Sequence, residues 1–338
     1  MHVEFFMNPI LASVSPPDHA DLYAPIARDL AEVERILRTT LASTQTSVAK
    51  LLGHLAHFRG KRLRPALLLL TAHACGNVTR EHHVLGAVVE MIHTATLVHD
   101  DVLDNASVRR HVPTINAGWG NQASILLGDY LFTHAFHLSS TLDDVRACRL
   151  IGEATNRLCA GELQQICERG NLALSEEEYF EIIDAKTAKL ISCCCRLGAL
   201  YSGMSEDIVE SLARYGRYLG LAFQIADDVL DLVGDEEVTG KSLGTDLEQQ
   251  KLTLPLIRLL AEAPAEQATR LQQILQSPGN HKREHLAPDL ADGRALAYAR
   301  GRAEELAASA LAELDCLPPS RCRTILESLT ERVVHRES

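Results

Sequence analysis

The sequence predicts an all-α fold. Apolar residues recur three and four apart along most of the chain. Period-two alternation bounded by turn residues is nearly absent, and aromatics are only 4% of residues, which disfavours a sheet protein. The elements follow in order. Residues 1–20, with Pro9, Pro16 and Pro17, read as a loose arm, leaving one helical domain over 21–338. Helical spacing runs over 26–41. Gly60, and Pro65 as a first helical residue, then open a helix over 66–74 that Gly76-Asn77 ends. Further helices are predicted over 84–98, 124–138, 145–167, 179–201, 208–233 and 252–260. Ala299, Ala303, Leu306, Ala310 and Leu314 repeat the pattern. Loops are expected at 113–120 and 234–244, and an exposed, variable stretch at 277–293.

Composition narrows the function. Of 338 residues, 33 are Lys or Arg and 45 Asp or Glu, a formal charge of -12, so a nucleic-acid-binding stripe is not expected. No apolar run is long enough to span a membrane, and no secretory signal is evident. The nine cysteines lack metal-ligand spacing. Cys193, Cys194 and Cys195 point about 100° apart on a helix and read as buried, reduced thiols of a cytoplasmic protein. Length alone suggests about two domains. The motifs below lie on both sides of any split yet build one site, which favours a single unit.

Two acidic segments stand out, Asp100-Asp101-Val102-Leu103-Asp104 and Asp227-Asp228-Val229-Leu230-Asp231, each following an apolar helix. Positions four apart share a helix face, so Asp100 pairs with Asp104 and Asp227 with Asp231. Stacked carboxylates repel. Near a cavity end they require a cation, and oxygen-only ligation favours a hard ion such as Mg²⁺ that also takes substrate phosphate oxygens. One such motif alone reads as a solvated helix end; two copies with the same wording do not.

Cations lie where a polyanion would need them. Gly60-Lys61-Arg62-Leu63-Arg64-Pro65 precedes an apolar helix whose N-terminal N–H groups favour phosphate. Arg109 and Arg110 follow Asp104 within one loop. Lys186-Thr187 sits in an apolar helical stretch where an unpaired Lys is costly. Lys241 and Lys251 follow the second acidic motif, Gln224 lies about one turn before Asp227, and His93 lies two turns before Asp100.

This ordered set, spread over nearly the whole chain, resembles the trans-isoprenyl diphosphate synthases, most of all octaprenyl and related long-chain members. The resemblance implies a helical bundle around a central deep cavity and a homodimer, to which the helix over 124–138 could contribute an apolar face. Its substrates would be isopentenyl diphosphate and an allylic prenyl diphosphate, with farnesyl diphosphate the expected primer, and it would use about three Mg²⁺. By position, Asp100, Asp101, Asp104, Asp227, Asp228 and Asp231 would hold the metal. Arg109, Lys186, Thr187, Gln224, Lys241 and Lys251 would face the allylic diphosphate, and Lys61, Arg64, His93 and Arg110 the isopentenyl diphosphate. Ala95 and Thr96, small where short-chain members carry an aromatic floor, imply a long all-trans product, octaprenyl, for quinone side chains. A shorter farnesyl or geranylgeranyl product is the alternative. The implied chemistry is ionisation, condensation and elimination without a protein nucleophile. Two departures are visible: His111 where the family usually has Gly, and Gln249-Gln250 in place of an acidic-glycine pair. A terpene cyclase would use only one such acidic motif, and a regulatory subunit of a heteromeric synthase tends to lose both.

Overall fold

The computed structural model describes residues 22–58, 60–234, 243–277 and 281–335. The arm at 1–20 and Lys241 lie outside the described residues. The described residues are mostly helical, and their only strands, β1 (Val108–Arg109) and β2 (Val112–Pro113), are two residues each and pair antiparallel. In order come α1 (Ala27–Thr40), α2 (Thr46–Leu55), α3 (Leu63–Ala74), α4 (Arg80–Leu103), α5 (Ile115–Trp119), α6 (Asn121–Ser140) and α7 (Val145–Cys167). Then follow α8 (Glu176–Ile183), α9 (Lys189–Tyr201), α10 (Glu206–Val233), α11 (Thr245–Glu248) and α12 (Leu254–Glu262). The last are α13 (Ala265–Gln276), α14 (Lys282–Leu290), α15 (Arg294–Glu313) and α16 (Arg321–Val334).

Two long helices organise the core. α4 runs 24 residues and buries Leu85, Val88, Val89 and Ile92, packing on α3 and α6. α10 runs 28 residues and packs on α9 and α15. Each delivers an acidic motif at its C-terminal end. That is the electrostatically wrong end, because the helix dipole already points its negative pole there, at about 0.3–1 kcal/mol per exposed charge. A local conflict repeated on both central helices marks a site rather than a packing solution.

Four expectations are corrected. Pro65 is the third residue of α3, not the first; it is tolerated because first-turn N–H groups have no intrahelical acceptor. The stretch 113–120 holds α5, whose N-cap Thr114 accepts a hydrogen bond from Ala117 N. The stretch 277–293 contains α14, which buries Lys282, Leu286, Asp289 and Leu290. The single helix expected over 179–201 is α8, a π-helical turn at Asp184–Ala188, and α9. Close contacts crowd that turn. A Cβ on Gly161 of α7 would lie 2.6 Å from the Ala185 Cβ, and one on Gly220 of α10 would lie 2.6 Å from the Ala188 Cα.

Among the described residues, five non-glycine residues take left-handed backbone: Arg62, Asn105, Arg110, His111 and Gln250. His111 (φ 63°) and Gln250 (φ 56°) are the two positions where the sequence departs from glycine in the pattern it resembles. The left-handed region costs an L-residue about 1–2 kcal/mol, and glycine returns part of that as unfolded-chain entropy. Gln250→Gly is therefore expected to stabilise the protein by up to about 1 kcal/mol. A thermal melt reads this as a raised Tm; a lowered Tm would show that the Gln250 side chain contributes more than the backbone strain costs.

Candidate active site

The two acidic motifs meet. Lys251 Nζ lies 3.7 Å from Asp104 of the first motif and 3.8 Å from Asp246. Asp246 in turn donates its backbone N–H to Asp231 of the second motif at 3.1 Å. Lys186 stands on the first motif's side: it pairs with Glu162 at 2.6 Å, bonds Gln165 at 2.7 Å, and feels the charge of Asp100 and Asp104. Although burial pulls its pKa down, Glu162 and Asp100 hold Lys186 above the ordinary value, so it stays an ammonium.

The six aspartates are not equivalent. Asp101 is buried and accepts the Arg109 guanidinium at 2.8 Å. Asp104 accepts Arg169 at 3.2 Å as well as facing Lys251. Asp228 is buried between the Tyr179 hydroxyl at 2.7 Å and Gln224 Nε2 at 2.8 Å, and Thr187 donates to Gln224 at 2.7 Å. Both oxygens of Asp231 serve α11: one accepts the Thr245 N–H and hydroxyl, the other the Asp246 N–H. Asp231 therefore caps a helix. Among the described residues, the side chains of Asp100 and Asp227 have no hydrogen-bond or ion-pair partner.

Negative charge is in excess here. Burial pushes Asp100 up to about 6, with Lys186 opposing and Glu162 and Asp104 adding. Burial and the charge of Asp231 push Asp246 up to about 6, with Lys251 opposing. Burial and the Asp246 charge hold Asp228 well above the usual carboxylate range. A cavity beside these groups is lined by Lys186, Gln224, Asp228, Asp246 and Lys251 on its polar side, and by Leu174, Ile182, Ile183 and Leu252 on its apolar side.

A second, basic cluster surrounds His93. Burial, with Arg64, Arg110, Arg109 and Arg62 around it, holds the imidazole well below its usual range and hence neutral. Buried Arg64 Nε has no partner. Arg110 donates to the Phe58 carbonyl at 2.7 Å and lies against Gly60, where a Cβ would come within 2.8 Å of its guanidinium. Lys61 is exposed. Arg62 pairs with Glu34 at 2.6 Å and Glu90 at 2.5 Å, so it braces the turn rather than facing the cluster's open side. Ala95 is fully buried in a small cluster with Leu55, Leu127 and Leu131, while Thr96 is half-buried and donates to the His93 carbonyl at 2.8 Å.

Sequence reasoning missed Glu162, Gln165, Arg169, Tyr179 and Asp246. Glu162 and Gln165 are three apart on one face of α7, a spacing that could have flagged them. Tyr179 and Arg169 reach the site only through the tertiary fold.

No three His, Cys, Asp or Glu side chains among the described residues converge enough to cage a metal alone. The donor set still fits Mg²⁺: two unpaired carboxylates in an over-acidic cleft, with remaining ligands from water and substrate phosphate, is how that ion is usually held.

The family model described as polyprenyl synthetase matches residues 45–289. The chain is 36% identical over 317 residues to the all-trans-nonaprenyl-diphosphate synthase (geranyl-diphosphate specific) of Rhodobacter capsulatus, covering 94% of this chain and 97% of that protein. It is also 36% identical over 312 residues to the octaprenyl diphosphate synthase of Escherichia coli K12, covering 92% and 97%. The crystal structure of a polyprenyl synthase from Caulobacter crescentus CB15, complexed with calcium and isoprenyl diphosphate, superposes with a TM-score of 0.89 at 34% identity, covering 94% of this chain and 97% of that one.

Proposed function

Because the chain belongs to the polyprenyl synthetase family, we propose that it condenses isopentenyl diphosphate with an allylic prenyl diphosphate to build a long all-trans polyprenyl diphosphate. The observation that carries this reading is the junction of the two acidic motifs at Lys251, between Asp104 and Asp246. It brings carboxylates and ammoniums together at one cleft. A relative that binds calcium and an isoprenyl diphosphate supports the same pairing of divalent cation and substrate.

The chain's own groups divide the work. Lys186 and Lys251 stand ready to neutralise a departing diphosphate, in a partly dry cleft where fixed charges act strongly. Asp100 and Asp227 are the carboxylates free to hold Mg²⁺, with Asp101, Asp104 and Asp228 beside them. Bound there, Mg²⁺ would supply Lewis-acid stabilisation of the diphosphate as the allylic C–O bond breaks. Thr187, Gln224 and Tyr179 fix the orientation of Asp228. Arg64 and Arg110, around neutral His93, form the second anion site, suited to isopentenyl diphosphate; Lys61 extends it. No side chain serves as a nucleophile, and the attacking electrons come from the second substrate's double bond.

Product length follows from the face of α4 above Asp100. At equal identity the two relatives carry octaprenyl and nonaprenyl names, so relatedness does not fix the number of units. We favour octaprenyl from farnesyl diphosphate. Thr96→Phe is expected to shorten the product by several units at near-normal turnover, read by chromatography of the dephosphorylated prenols. Ala95→Phe should shorten it as well, but must also displace a neighbour in a closed cluster, at about 1–3 kcal/mol. Unchanged length in both would mean the chain runs elsewhere. Two copies are proposed to pair through α6, where Ile125 and Leu126 are exposed beside Trp119 of α5. No helix among the described residues is long and apolar enough to cross a membrane.

The decisive test incubates pure protein with Mg²⁺, farnesyl diphosphate and isopentenyl diphosphate. A polyprenyl diphosphate longer than farnesyl is expected; no condensation by the pure chain would overturn the reading.

A further inference from the structure

The stretch expected to be exposed and variable instead bonds the end of the helix that carries the second acidic motif. Lys282, the first residue of α14, is 4% exposed, and its ammonium donates to the carbonyls of Leu247 at 3.1 Å and Leu275 at 2.9 Å. Arg283, next to it, donates to the Leu232 carbonyl at 2.8 Å and to the Gly234 carbonyl. Its stem also lies over Gly244, where a Cβ would stand 3.7 Å from the Arg283 side chain.

These acceptors are not ordinary carbonyls. Leu232 is in the last turn of α10 and Gly234 is its C-cap, where carbonyls have lost their intrahelical donors. Leu247 is in the last turn of α11 and Leu275 in the last turn of α13. Two adjacent cations therefore complete the negative ends of three helices at once. The residues between those points form the second half of the site. Asp231 immediately precedes Leu232; Asp246 immediately precedes Leu247 and bonds Asp231; the Lys251 N–H donates to the Asp246 carbonyl at 2.8 Å. The basic cluster around His93 sits on α3, α4 and the β-hairpin, whereas α14 packs mainly on α11, α13 and α15.

We infer that Lys282 and Arg283 are positioning residues for the allylic half of the site: they pin the ends of α10 and α11 so that Asp227, Asp228, Asp231, Asp246 and Lys251 hold a common geometry. This rests on the prenyl-transfer reading above. Loss of the clamp lets the last turn of α10 fray, which separates the second motif from Lys251 without touching the other diphosphate site.

Arg283→Ala tests it, with hydrogen exchange on the metal-free protein and steady-state kinetics on the same sample. Amides of 230–234 and 245–248 should exchange about tenfold faster, with the rest of the chain unchanged. The KM for farnesyl diphosphate and the Mg²⁺ concentration for half activity should each rise about tenfold, while the KM for isopentenyl diphosphate stays put. Arg283→Lys, able to reach one carbonyl, should recover part of both effects. Because buried Lys282 could be needed for folding, Lys282→Met is read by exchange at 245–248 in protein that retains its helical circular dichroism. Wild-type exchange in Arg283→Ala, or equal weakening of both substrates, would overturn the inference. If the unmutated protein does not condense the substrates, the functional reading falls, while the exchange result still decides whether the clamp exists.

Discussion

Asp227→Asn is expected to lower turnover by about a thousandfold while leaving the melting temperature within a few degrees of wild type. The side chain has no partner to lose among the described residues, so the substitution removes charge and little else. What it removes is one of two carboxylates free to hold a divalent ion where the diphosphate must leave. Asp100→Asn should behave alike. The neighbouring positions give a built-in contrast. Asp228→Ala should also cut turnover by orders of magnitude, but it leaves the Tyr179 hydroxyl and Gln224 amide buried without an acceptor, at about 1–3 kcal/mol of stability. Asp101→Ala similarly frees Arg109. Asp231→Ala should cost about 1 kcal/mol through loss of the α11 cap. Steady-state turnover and thermal melts on the same preparations check the set. Near-normal turnover in Asp227→Asn and Asp100→Asn together would remove the metal role from both.

Gly220→Ala should destabilise the protein by about 1–3 kcal/mol, against the direction that helix propensity alone dictates. In an open helix, Gly→Ala gains about 1 kcal/mol. Here the added Cβ would stand 2.6 Å from the Ala188 Cα and 3.0 Å from its Cβ, and neither atom can swing aside by a side-chain rotation. α10 must shift away from the wide turn carrying Lys186 and Thr187. The Thr187–Gln224–Asp228 chain bridges that gap, so turnover should fall with stability. Urea or thermal unfolding gives the sign directly: a more stable Gly220→Ala protein would mean the helices are not in close contact at that point.

The helical spans were legible because burial on one face of a helix leaves a 3.6-residue trace, clear for α4, α7 and α10. The acidic pairs were legible because repulsive carboxylates at a helix C-terminus have no packing rationale. Other features leave no such trace. The turn at Asp184–Ala188 keeps the apolar spacing of its flanks and arises where Gly161 and Gly220 let neighbours approach. Tyr179, Arg169 and Asp246 come to the site by tertiary folding from positions whose local sequence is ordinary. α14 is hidden because Pro278, Gly279 and Pro288 in a polar stretch read as exposed loop, whereas Lys282 is buried with its ammonium bonded to helix-end carbonyls. The role of Asp231 as a cap is likewise invisible until α11 is seen to begin beside it.

The π-helical turn carries a lesson about length. Its extra residue puts α8 and α9 out of phase by about 100°. Upstream, Tyr179 is aimed at Asp228; downstream, Cys193, Cys194 and Cys195 are aimed into the core. Deleting any one residue of Asp184–Ala188 would restore a regular helix and rotate one of those sets to the wrong side. A reading-frame-preserving loss of a single codon in that stretch should therefore be far less tolerated than the same loss in a surface loop.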